Sequence, residues 1–288
     1  MKKKYKLLDN ETIYQLGRVF YRIEALRDFS DVKKGDKGGY VVTEEGLSHY
    51  GNCWVYDNAR VSYEARVYED ARVSGDTYIL GRAQVYGHAR IYGDVRIYGE
   101  AKIYGNAKIQ GSVYIYGNAH IYGDAHIYEN ARVFGEARVH DDAKVYENAR
   151  ICDFTRVCDY ARVYGEAEVY ENAQIYGFAE AYDCARIFGN ARISDKARVF
   201  NNAQVYGNAK VYDDARVYGN ACIYGESRVN DYAQVYDNDK IDNGEVTTSK
   251  NEITQQNKND ACEKSTSKVT ATSPLNSQKQ LKKNLIRR

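Results

Sequence analysis

The chain is short of proline, the residue that most firmly interrupts a helix or sheet. Its 288 residues include a single proline, a single methionine and a single tryptophan. With so little proline, its corners must be built by other turn-forming residues. No apolar run approaches the length of a membrane span, so none is expected. The basic start, Met1-Lys2-Lys3-Lys4-Tyr5, has no apolar block behind it, which argues against a secretory leader. Forty-one Lys and Arg against forty Asp and Glu leave a net charge of +1. That balance supplies no global field toward nucleic acid or anionic lipid. The six cysteines, at 53, 152, 158, 184, 222 and 262, show no CxxC spacing and no disulfide-framework density. They suit a reducing, cytoplasmic setting.

What the chain does have is a beat of six. From Val55 to Val235 every sixth residue is Val or Ile, thirty times in thirty-one, with Ala181 as the exception. No insertion interrupts it. Two residues earlier lies a row of small residues from Ala59 to Ala233: twenty-five of thirty are Ala, and the rest are Thr77, Val95, Val113, Thr155 and Ser227. Small and aliphatic positions alternating with Arg and Tyr are the period-two mark of a short strand with one buried face. Each unit closes on two turn formers, the first being Gly sixteen times and Asp, Glu or Asn fourteen times. A four-residue strand and a two-residue corner, repeated, wind into a solenoid in which each coil needs neighbours above and below.

The unit resembles that of the bacterial hexapeptide-repeat superfamily, and Val133-Phe134-Gly135-Glu136-Ala137-Arg138 fits as it stands. The resemblance implies an all-β, left-handed parallel β-helix with three strands per coil, eighteen residues per turn and about ten coils. Phe29 to Tyr40 and Leu47 to Tyr56 resemble the start of YdcK-like proteins of bacteria and prophages, which carry a provisional transferase label. That likeness spans about residues 5–240 and brings no catalytic residues with it.

Three regions are expected: an N-terminal β cap over 1–46, the β-helix over 47–243, and a disordered basic tail over 244–288. Within the cap, strands flank Gly17 as a hairpin, and Asp31 to Tyr40 reads as a loop. A cap is required because an open β-helix end exposes strand edges and core.

Nineteen of the thirty-one positions after the aliphatic residue are Tyr, and Phe134, Phe188 and Phe200 add three. With eighteen residues per turn, Tyr86, Tyr104 and Tyr122 stand above one another and read first as a structural ladder. The neighbouring outward row is basic at nineteen of thirty-one positions, Arg132 and Arg138 among them. Together these make the candidate binding face, toward a partner protein, a polymer or a second copy of the chain.

His140 and Cys158 fall eighteen apart in one row, near Arg138 and Arg156, a setting in which a thiol pKa falls. His120 and His126 occupy successive units. The superfamily's carbonic anhydrases hold zinc with three histidines, whose spacing these do not reproduce, so no metal is assigned. The preferred function is a non-catalytic interaction scaffold without cofactor. The alternative implied by the resemblance is a trimeric acyltransferase using acyl-CoA, with His120 or His126 as general base.

Overall fold

The computed structural model describes residues 3–62 and 64–249, together with the backbone of 252–253. The chain divides into two units, Met1–Thr254 and Gln255–Arg288, of which the second lies outside the described residues. The first is an all-β parallel solenoid of about eleven turns.

Three sheets run the length of the coil. Sheet I holds the rungs from Arg60–Val61 to Lys240–Asp242, sheet II those from Trp54–Val55 to Gln234–Val235, and sheet III those from Arg66–Val67 to Glu245–Val246. Pairing is parallel at an offset of eighteen, as in Arg132↔Arg150, Arg138↔Arg156 and Lys144↔Arg162. The last rung of sheet III pairs Val229 with Val246, an offset of seventeen. The coil therefore runs past residue 243 after dropping one residue from its beat, and its about eleven turns agree with the about ten that the beat implies. From 250 on, the expected tail lies outside the described residues, apart from Glu252–Ile253, whose backbone pairs antiparallel with Thr248–Ser249.

The bore is lined as the rows require. Ala131 and Val133, like their counterparts from Val55 to Val235, are buried, while Ile241 and Val246 in the last rungs are only partly so. Polar members of the small row are satisfied locally: the hydroxyls of Thr77, Thr155 and Ser227 donate to the carbonyls three residues back, at 2.7, 2.6 and 2.6 Å.

The corners carry a bond that composition did not reveal. The first corner residue takes positive φ whether it is Gly or not, including Glu69, Glu129 and Glu171 near 60°. At Glu69 and Glu171, where a side chain tolerates that region poorly, a compensating bond exists. The Glu69 carboxylate accepts the backbone N–H of Gly87 at 2.8 Å, and Glu171 that of Gly189 at 2.8 Å. Asp153 does the same for Glu171 at 3.0 Å. These three acidic corners each satisfy the peptide directly above them.

At the N-terminal end, β1 (Tyr5–Gln15) and β2 (Arg18–Ala25) form the expected hairpin through Leu16-Gly17, both at positive φ. The segment read as a loop instead contains β3 (Lys37–Val41), antiparallel to β2 and parallel to Arg60–Val61. Its Gly38 and Gly39, taken as loop signals, mark close approach. A Cβ on Gly39 would lie 2.4 Å from the Ala59 carbonyl oxygen. The cap thus continues sheet I. Tyr5, Phe29 and Trp54 pack edge to face over the first coil, with centroids 5.3–6.1 Å apart. Lys4 is fully buried there, its Nζ donating to the Cys53 carbonyl at 2.8 Å. Burial lowers its pKa.

No helix among the described residues is long and apolar enough to cross a membrane.

Candidate functional site

The aromatic row resolves into three vertical stacks, one at each corner of the prism. After sheet II the rings run without a break from Tyr128 through Tyr146, Tyr164, Tyr182, Phe200 and Tyr218 to Tyr236. After sheet III, Tyr68, Tyr86, Tyr104, Tyr122 and His140 form a second column, and Cys158 ends it. After sheet I, Tyr98, Tyr116 and Phe134 are separated by Cys152 from Tyr170, Phe188, Tyr206 and Tyr224.

Tyr86 and Tyr104 are 4.9 Å apart at 5°, and Tyr104 and Tyr122 are 4.9 Å apart at 4°. Each interior ring therefore spends both faces on its neighbours. A ligand could reach only edges and hydroxyls. Burial raises the phenol pKa along the columns, to about 12 at Tyr68 and Tyr146.

The basic rows part onto three walls. Arg132 lies on sheet I, with its guanidinium 5.7 Å from the Tyr114 ring centroid. Arg138 lies on sheet III, between His120 and Arg156. These two do not share a face with each other, although Arg138 borders the Tyr86–Tyr122 column. His120 and His126 are likewise split between sheets III and II. Burial lowers the pKa of both imidazoles, assisted by Lys102 and Arg138 at His120 and by Lys108 and Lys144 at His126. Both therefore favour the neutral form.

His140 and Cys158 do come together. The thiol is not activated: burial, then the carboxylates of Asp159 and Asp141, push its pKa up to about 11, outweighing Arg156. The expected effect of the arginines is thereby reversed.

One concavity lies where the rows did not announce it. A groove of about 600 Å³ runs along the outer wall of sheet II. Its floor is the stacked rungs Lys144, Arg162, Glu180, Arg198 and Arg216. Glu180 is clasped by Arg162 at 3.5 Å and by Arg198 at 3.4 Å. One rim carries Tyr160 and Phe178, which sit at the second corner position, outside the three columns. Their rings stack at 4.8 Å and 5°, yet Tyr160 is 53% and Phe178 59% exposed. Two exposed aromatics directly above one another, beside cationic side chains, form an amphipathic strip. A signal for it existed: Tyr160 and Phe178 are eighteen apart in a row otherwise rich in Asn, Asp and Glu.

A family model described as the YdcK β-solenoid repeat matches residues 83–99, about one coil. No curated protein matches the chain. Match and architecture together support a β-helix repeat protein.

Proposed function

We propose that the protein is a non-catalytic binding module whose groove on sheet II receives an extended acidic glycan. The observation that carries this reading is the exposed Tyr160–Phe178 pair standing beside Lys144, Arg162, Arg198 and Arg216. The C–H faces of a sugar ring are apolar and pack on aromatic surface, while uronate carboxylates pair with the cations that Glu180 does not hold, Lys144 and Arg216. Rungs recur at about 4.8 Å, so a linear polymer lying along the groove meets a cationic side chain at the rungs of Lys144, Arg162, Arg198 and Arg216, with Glu180 interrupting the row. The three ring columns serve this reading as struts that hold the walls rigid.

The same proposal places the chain among the left-handed hexapeptide-repeat helices, on the strength of units such as Val133 to Arg138. It places the protein in the cytoplasm, where the five free cysteines among the described residues stay reduced. A prophage origin and the transferase label rest on the YdcK-like resemblance alone.

Calorimetric titration with an oligogalacturonate tests the module. Binding that weakens at least tenfold in Tyr160→Ala/Phe178→Ala, and that weakens with added salt, is the expected result. No binding, or equal binding by the double variant, contradicts it. Acyl-CoA binding abolished by His126→Ala would instead favour the acyltransferase.

A further inference from the structure

The column at the corner after sheet III ends on an imidazole. His140 stacks on Tyr122 with centroids 4.6 Å apart and planes 8° apart, and the next rung offers the thiol of Cys158 where a ring would continue. The imidazole is thus clamped flat on one side and faces a small side chain on the other. Its Nδ1 lies 2.9 Å from Oδ2 of Asp141. One donor atom from each of His140, Asp141 and Cys158 falls within 4.8 Å of the other two.

Asp141 itself supplies a second observation. As a corner carboxylate it accepts the N–H of the residue one coil on, but at 3.4 Å, against 2.9 Å for Asp159 and 2.8 Å for Glu171. Asp195 shows the same lengthening, to 3.4 Å, and its Oδ2 also accepts from the Ser194 hydroxyl at 2.8 Å. At Asp141 the competing partner is the imidazole, so the carboxylate is drawn off its structural bond toward His140.

We propose that His140, Asp141 and Cys158 form a site for a divalent transition metal, with zinc the ion the donors suit best. Imidazole nitrogen, carboxylate oxygen and thiolate sulfur are the three ligand types of tetrahedral zinc, and water takes the fourth position. Bond lengths of 2.0–2.3 Å put such donors roughly 3.5 Å apart. The three groups therefore close by about 1 Å, a movement that side-chain rotation at the partly exposed Asp141 and Cys158 supplies. On binding, the Cys158 thiol gives its proton to solvent and its sulfur lone pair to the metal. A coil whose column lacks a ring thereby gains a cross-link between successive turns.

The test is a cobalt titration of metal-stripped full-length protein. The expected result is a thiolate-to-cobalt charge-transfer band that saturates at one equivalent and is bleached by zinc. Cys158→Ser abolishes the band, whereas Cys184→Ser and Cys222→Ser keep it. His140→Phe, which preserves the stack on Tyr122, weakens binding at least tenfold. Absence of the band at ten equivalents of cobalt, or a band that survives Cys158→Ser, overturns the proposal. Circular dichroism of each variant checks that the coil is intact, and zinc bleaching in the unsubstituted protein does not depend on any variant folding.

Discussion

At the scale of single residues, two positions carry the coil: the alanine mid-strand and the acid at the corner. Ala131 has no exposed surface and faces a narrow bore. Ala131→Phe is expected to cost about 1–3 kcal/mol or more by overpacking, read as a lowered urea midpoint. The corner bond is more specific. Glu171 holds positive φ and accepts the Gly189 N–H, so Glu171→Ala keeps the backbone strain and loses the acceptor. A loss of about 1 kcal/mol is expected, with Glu171→Gln close to neutral because its amide oxygen still accepts. Equal losses in the two variants would show that charge, not the hydrogen bond, matters. The inward alanines were legible from the rows. The corner bond was not, because it joins residues eighteen apart through a side chain whose type alone suggested only turn propensity. Lys4 was illegible for a similar reason: nothing in a basic N-terminus marks which lysine is buried.

At the scale of elements, the ring columns and the cap respond to pH in opposite directions. Burial raises the phenol pKa of Tyr68 and Tyr146 from 10.0 to about 12. A raised folded-state pKa contributes stability that is present below the unfolded value of 10 and lost as pH rises through 12. Urea midpoints should fall across that window, and tyrosinate absorbance of the folded protein should lag behind that of the unfolded chain. Coincident titration curves would contradict the buried columns. In the cap, the Glu44 carboxyl is held below its ordinary 4.5, first by the Lys3 ammonium at 2.7 Å and then by His49. Here the folded pKa is depressed, so stability is present above 4.5 and lost as pH falls through the folded value. Glu44→Gln should flatten that acid limb of a urea-midpoint profile. The vertical alignment of Tyr86, Tyr104 and Tyr122 followed from the period together with the three strands per coil that the family resemblance implied, whereas their mutual occupation of ring faces required the structure. The strand at Lys37–Val41 was hidden by glycines that serve packing rather than a turn.

At the scale of the molecule, strict repetition explains both why the architecture could be read and why the site could not. Periodicity reports what every coil shares, and the proposed groove and metal site lie where coils differ. The missing residue between Val229 and Val246, the ring-less rungs at Cys152 and Cys158, and the exposed pair Tyr160–Phe178 are all departures from the beat. A single ladder variant, Tyr164→Ala, removes two stacking contacts on the opposite edge of the same wall. It should cost about 1–3 kcal/mol of stability and leave ligand affinity intact. The direct test of the binding account is therefore oligogalacturonate affinity measured side by side for Tyr160→Ala/Phe178→Ala and Tyr164→Ala. The account predicts at least a tenfold loss in the first and none in the second; unchanged binding in the first with loss in the second would contradict it.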